Sequence, residues 1–287
     1  MSEALKETKY LIKKYKIRAK KNLGQNFLID DNVLQDIANG AEIGQDDLVI
    51  EIGPGLGSLT KLLLEKAKKV ICIELDKKMV KILCERFSIY NNLEIINEDV
   101  LRINLNELIK NEKEKGIKNV KVVANLPYYI TTPIIMKLVE NDLDIESITV
   151  MIQKEVAERL IAIPGTKETG AITYTIYYYC ESKKIREVEN SCFIPEPEVT
   201  SEVINLKIRE NPAVQVKDKK VLFNIIKSAY MQRRKTLLNS LTSVGVFKSK
   251  EQGIEILKKI GLREDIRPEN MKIEDFAKLT DLFFNNN

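Results

Sequence analysis

The chain has 287 residues, 44% of them hydrophobic and 31% charged, with a net charge of +4 and no histidine. That composition supplies core material for one large domain plus a smaller one and argues against wholesale disorder. No apolar run approaches the roughly 18 residues that span a bilayer, Met1 to Tyr10 lacks the apolar core of a secretory signal, and the missing histidine removes Ser-His and Cys-His chemistry together with the commonest metal ligand.

In chain order, residues 1–22 hold eight Lys or Arg against two Glu and read as a basic N-terminal arm. Lys20 and Lys21 are its candidates for phosphate contacts, although a solvated charged arm would look the same. Leu48-Val-Ile-Glu-Ile52 and Val70-Ile-Cys-Ile-Glu74 are short β-rich runs on either side of a helix-like stretch, Ser58 to Ala67, which makes a βαβ unit. Further runs at Leu93 to Ile96, Val120 to Ala124 and Ile148 to Ile152 alternate with helix-patterned segments such as Lys77 to Phe87. That alternation predicts a parallel sheet with helices on both faces. Ala171 to Cys180 and Val203 to Ile208 are two more strand candidates without a clear crossover helix, expected as an antiparallel hairpin at the sheet edge, and Tyr177-Tyr-Tyr179 is expected in core and sheet surface. Glu210-Asn-Pro212 reads as a linker and everything from Asp218 onward as helical. The expected organisation is therefore an arm at 1–22, an α/β domain at 23–209 and an all-helical domain at 210–287. Arg233, Arg234 and Lys235 lie in the acid-free stretch Lys227 to Asn239 and form a second basic patch suited to a polyanion, although one solvated helix face would look the same on charge alone. Cys72, Cys84, Cys180 and Cys192 show no C-x-x-C spacing and are expected to be buried, reduced thiols, in keeping with a cytoplasmic location.

The first strand runs directly into Glu51-Ile-Gly53-Pro-Gly55-Leu-Gly57. Glycines there let the backbone turn and approach a ligand, though a merely tight βα turn would also use them. Two details narrow the ligand. The spacing is G-x-G-x-G rather than the dinucleotide G-x-G-x-x-G, because position 58 is Ser58. The strand also carries Glu51, which suits a cationic ligand, such as the amino group and sulfonium of S-adenosyl-L-methionine, better than a pyrophosphate. Glu74 ends the second strand, where a carboxylate accepts both hydroxyls of a ribose. Asp99 follows the third strand, placed to accept from an adenine amine. Any one of these is readily a surface acid; three at successive strand ends are harder to dismiss.

After the fourth strand comes Asn125-Leu126-Pro127-Tyr128. Such a turn would suit an exocyclic amine, a poor nucleophile whose lone pair is delocalised and which needs acceptors that favour a tetrahedral nitrogen. The Asn125 amide oxygen and the Leu126 carbonyl suit that role, Pro127 stiffens the turn, and the Tyr128 ring offers a face to an unstacked base. Here the face rather than the hydroxyl is expected to matter. Phe193 is the candidate for the opposite face.

The tetrapeptide and its surroundings resemble the ribosomal RNA adenine dimethyltransferase family. Lys21-Asn-Leu-Gly-Gln-Asn-Phe-Leu28 is similar to its opening loop, Glu51 to Gly57 to its first motif and Gln153 to Leu160 to the segment after its fifth strand. Phe193-Ile-Pro-Glu-Pro-Glu-Val-Thr-Ser201 is similar to its F-x-P-x-P-x-V-x-S motif, and Gln232 to Leu237 to its helical-domain signature. The resemblance implies a Rossmann-like class I methyltransferase sheet and cofactor contacts from Asn26, Leu28, Gly53, Glu74, Asp99 and Asn125. It further implies dimethylation of two adjacent adenosines in the 3′-terminal hairpin loop of 16S ribosomal RNA, in the small subunit. A monomer is the default expectation, and the absent histidine and the cysteine spacing lead to the expectation of no metal. Glu198 and Glu202 stand where the family often has basic or small residues, which leaves the local RNA contact open.

Two rivals remain at this level. The 23S ribosomal RNA methyltransferases of macrolide resistance share the glycine loop and the tetrapeptide, but the stretch from Arg233 and the long helical tail argue against them. A non-catalytic ribosome-assembly factor would not need Asn125 and Tyr128. A nicotinamide dehydrogenase fails on Ser58.

Overall fold

The computed structural model describes residues 2–20, 24–232 and 234–284. The chain forms two compact units, one from residues 1–157 and 182–208, the other from 158–181 and 209–287.

The first unit is built on a seven-stranded sheet. Its parallel part comprises β2 (Leu48–Ile52), β3 (Lys69–Ile73), β4 (Leu93–Ile96), β5 (Val120–Asn125) and β6 (Ser147–Gln153); β9 (Ser201–Ile208) runs antiparallel to β6, and β7 (Cys180–Val188) lies at the edge, in the order β4-β3-β2-β5-β6-β9-β7. All five residues of β2 are buried, as expected of a Val/Ile-rich strand covered on both faces. The order reverses at β2, so the ends of β2 and β5 border the crevice where such sheets bind ligands.

Helices in this unit begin at identifiable caps. Ser2 caps α1 (Glu3–Lys14), Asp30 caps α2 (Asp31–Gly40), Asp76 caps α4 (Lys77–Arg86) and Asn104 caps α5 (Leu105–Glu114), each side chain accepting a backbone N–H of the first turn. The others are α3 (Ser58–Lys66), α6 (Thr131–Glu140) and α7 (Lys154–Ile161), within which the chain leaves the unit. The core joins Val33, Ile37, Leu63, Val70, Val123 and Met151.

The expected N-terminal arm is in fact the helix α1. It buries Ala4, Thr8 and Leu11, its first amides donate to Asp31, and Glu7 and Lys14 pair with Arg86 and Glu85. An amphipathic stripe under the charges anchors it. Lys21, Asn22 and Leu23 lie outside the described residues. A two-stranded ribbon, β1 (Phe27–Leu28) against β8 (Phe193–Ile194), then joins chain segments far apart in sequence.

The second unit holds α8 (Ala171–Tyr179), α9 (Lys219–Tyr230), α10 (Leu237–Ser243), α11 (Lys250–Lys259) and α12 (Ile273–Phe284). Here one expectation is corrected: Ala171 to Tyr179 is a helix, and the strand begins only at Cys180. Ile, Thr and Tyr favour strands in isolation, but tertiary burial overrides so weak a preference. Thr173 Oγ1 accepts the Gly170 N–H at 2.9 Å and starts the helix; Tyr174 and Tyr178 are buried with Leu222, Leu241 and Phe276. Of the tyrosine triplet, Tyr178 is therefore core and Tyr177 and Tyr179 pack half-buried against it, on a helix rather than a sheet. Of the cysteines, all free, Cys72 and Cys180 are buried, Cys192 is intermediate and Cys84 is exposed. The thiol of Cys84 corrects the expectation of burial. No described helix is long and apolar enough to cross a membrane.

Candidate active site

The loop after β2 carries glycines at positive φ, 68° at Gly53 and 82° at Gly57. They serve different ends. A Cβ on Gly53 would meet nothing within 4 Å, whereas one on Gly57 would fall 2.5 Å from the Phe87 ring and 2.8 Å from Leu83. Gly53 therefore leaves space open; Gly57 lets the start of α3 pack on α4.

Beneath this loop Glu51 is almost wholly buried. Thr60 Oγ1 donates to its carboxylate at 2.6 Å and the Cys72 thiol lies at 3.4 Å. Desolvation pushes the carboxyl up to about 7, against those two hydrogen bonds and with a smaller contribution from Glu74. Glu74, just past β3, accepts the Gly55 N–H at 3.1 Å and the Asp76 N–H at 2.8 Å. Its pKa is also raised, by burial, with the backbone N–H groups opposing. Asp99 accepts the Leu101 N–H at 2.9 Å.

Three positioning groups here escape sequence reasoning. Asp76 accepts from the Gln25 amide at 3.1 Å and pairs with Lys20 at 3.0 Å, tying the segment before β1 to the end of β3. Lys137 of α6 donates to the Leu101 and Ile103 carbonyls at 2.8 and 2.7 Å, bracing the loop that carries Asp99; burial lowers its pKa. The available signal was a lone lysine in the apolar run Ile134 to Val139. Thr60, the partner of Glu51, left none.

At the end of β5, the Asn125 side-chain amide donates to the Asn26 carbonyl at 3.4 Å. Leu126 is buried and extends the ladder by donating its N–H to Met151. The Pro127 carbonyl accepts from Thr131 Oγ1 at 3.1 Å. Tyr128 is half-buried, its hydroxyl 2.7 Å from Ser201 Oγ, and desolvation raises its pKa. Phe193 is buried and pairs in register with Leu28 across the small ribbon.

These groups surround one cavity of about 320 Å³. Every residue expected to touch cofactor or acceptor borders it except Gly57: Asn26, Leu28, Glu51, Gly53, Gly55, Glu74, Asp99, Asn125, Leu126, Pro127, Tyr128 and Phe193. Gly57 is the correction, because its Cβ position faces helix α4 and not the cavity. Of the residues assigned to RNA, Lys20 is half-exposed beside Asp76, and Arg234 and Lys235 are exposed between α9 and α10. Lys21 and Arg233 lie outside the described residues. Glu198 is exposed, whereas Glu202 is fully buried against the Lys184 ammonium and so presents nothing to a ligand.

The sequence pattern described as ribosomal RNA adenine dimethylase matches residues 16–284. A "Ribosomal RNA small subunit methyltransferase A" of Clostridium botulinum (strain Okra / Type B1) is 49% identical over 277 residues, covering 96% of this chain and 98% of that protein. Its namesake in Alkaliphilus metalliredigens (strain QYMF) is 48% identical over 274 residues, 96% and 95% of the two chains. Among solved structures, a dimethyladenosine transferase from Plasmodium falciparum has a TM-score of 0.74 at 28% identity, covering 90% of this chain and 97% of that one. The 23S rRNA methyltransferase ErmE has a TM-score of 0.69 at 25% identity, covering 89% and 98%.

Proposed function

We propose, for a chain that belongs to the ribosomal RNA adenine dimethylase family, that its cavity dimethylates adenine N6 in 16S ribosomal RNA of the small subunit with S-adenosyl-L-methionine as methyl donor. Two adjacent adenosines of the 3′-terminal hairpin loop are the targets, and the reaction belongs to the cytoplasm. The observation that carries this reading is one cavity whose lining joins the buried Glu51 and Glu74 to Asn125 through Tyr128.

The residues present fit that cofactor. The space beside Gly53 admits a ligand against the backbone, and Glu74 and Asp99 offer acceptors suited to ribose hydroxyls and to an adenine amine. Glu51 places a carboxyl under the glycine loop, where a cationic ligand favours its ionised form. When bound, S-adenosyl-L-methionine supplies a methyl group on a sulfonium that leaves as a neutral thioether.

The chain's own residues then have to hold the amine. With its Nδ2 donating to Asn26, the Asn125 side chain keeps Oδ1 as an acceptor for the amine, and the Leu126 carbonyl is the second acceptor. Stacking on Tyr128 contributes about 1–3 kcal/mol, comparable with the few kcal/mol needed to extract a base from its stack, and Phe193 forms the opposite wall. Alignment carries the rate, so a chain without histidine suffices. Arg234 and Lys235 are assigned to ribosomal RNA phosphates, with Lys20 reaching them from its place beside Asp76.

Asn125→Ala tests the acceptor site. With saturating cofactor, single-turnover transfer to small subunits lacking the modification should fall on the order of 100-fold, the scale of losing one preorganised hydrogen-bonding group. Cofactor affinity should stay within reach of saturation. A near wild-type rate would move the acceptor site elsewhere, and labelling of large subunits instead would favour the 23S reading.

A further inference from the structure

The F-x-P-x-P-x-V-x-S motif begins and ends at the acceptor site. Phe193 borders the cavity, the middle residues Glu196, Glu198 and Val199 are exposed, and Ser201 returns to full burial. The backbone holds Ser201 firmly in place: it opens β9 opposite Gln153, and the preceding residue, Thr200, accepts the Lys154 N–H at 3.0 Å. Its Oγ lies 2.7 Å from the Tyr128 hydroxyl.

We propose that Ser201 is a positioning residue for methyl transfer, orienting through the Tyr128 hydroxyl the ring on which the target adenine lies. The proposal rests on the acceptor-site reading above. A tyrosine ring swings about two side-chain torsions, each with alternative wells. Tyr128 sits in the turn between β5 and α6, half-exposed to the cavity, and a hydrogen bond at the far end of the ring selects one orientation. The anchor belongs to the sheet rather than the turn, so the plane offered to the base is set by the β6–β9 ladder. This gives the hydroxyl a role that stacking alone does not predict. A phenol is protonated at neutral pH and burial raises the Tyr128 pKa further, so the bond persists there.

The test compares Ser201→Ala, Tyr128→Phe and the double variant in single-turnover transfer to small subunits lacking the modification, with cofactor binding measured by calorimetry. Each single change should lower the transfer rate about five- to tenfold, the scale of one lost hydrogen bond. The double variant should fall no further, and cofactor affinity should not change. Ser201→Thr, which keeps the oxygen, should restore most of the rate. A wild-type rate for Ser201→Ala, losses that multiply in the double variant, or a matching loss of cofactor affinity would each overturn the proposal. Tyr128→Ala, run alongside, separates the two readings. If it transfers at the wild-type rate, the acceptor site is misplaced; if it is impaired while Ser201→Ala is not, only the positioning role falls.

Discussion

At the N-terminal end of the parallel strands, Asp47 and Glu112 are as buried as Glu51 and Glu74 are at the other end, yet the two pairs sit in opposite electrostatic surroundings. Asp47 lies 3.1 Å from the Lys121 ammonium, and Glu112 lies 2.9 and 2.7 Å from Lys69 and Lys115. Burial would raise both pKa values, but the N–H groups and lysines around them hold both below the ordinary range. Glu51 and Glu74 have a hydroxyl, a thiol and backbone N–H groups but no ammonium partner among the described residues, and burial prevails. Asp47 and Glu112 are complete with their own cations; in the function proposed above, Glu51 and Glu74 are half of an interaction that a cationic, hydroxyl-bearing ligand completes.

Three experiments press on this contrast. The largest effect is expected from Lys121→Met, which leaves Asp47 buried without its cation. It should lower the unfolding free energy by about 3–5 kcal/mol while the rate per folded molecule stays at the wild-type value. Denaturant unfolding beside single-turnover rates decides it, and a change in the rate would erase the distinction between the two ends.

Next in size is the pH response of Glu51. Folding raises its pKa from 4.5 to about 7, so across that window the native protein keeps a proton that the unfolded chain has released. Stability should therefore fall as pH rises through the window and level off above it, by on the order of 3 kcal/mol in total. Glu51→Gln cannot ionise and should lose this slope; equal slopes in the two proteins would mean that Glu51 is charged in the free enzyme.

The smallest effect belongs to Glu74→Ala, which should weaken S-adenosyl-L-methionine binding by about 1–3 kcal/mol through loss of a charged acceptor. Calorimetry reads it directly. An unchanged dissociation constant would make Glu74 a brace for Gly55 and Asp76 only, the counterpart of Asp47.

One side of this contrast, the acids at the C-terminal strand ends, was legible in the sequence; the lysine-paired Asp47 and Glu112 were not. Acids at successive strand ends converge because parallel strands deliver their C-terminal ends to one side, and Leu48–Ile52 and Leu93–Ile96 were bounded by turn residues that made their limits plain. Periodicity could not say that Ala171 to Tyr179 is helical, since its preference opposes its burial. Nor could it join Phe27 and Leu28 to Phe193 and Ile194, because strands of two residues leave no pattern. The lysine bracing Asp99, the link from Lys20 to Asp76 and the bond from Ser201 to Tyr128 are tertiary contacts between side chains whose spacing carries no period.

The glycine loop has a consequence for how such a sequence can drift. A methyl group at Gly53 would touch no neighbour within 4 Å, so its cost to folding is confined to backbone strain at a φ of 68°, while it would intrude on the space proposed for the ligand. At Gly57 the same methyl group would press on the buried Phe87 and Leu83 side chains, so a lineage changed there would lose packing between the start of α3 and α4, typically about 1–3 kcal/mol, before any question of catalysis arose. Neighbouring glycines of one short motif are thus answerable to different pressures, one met by binding and one by folding, and neither can be relaxed by compensating at the other.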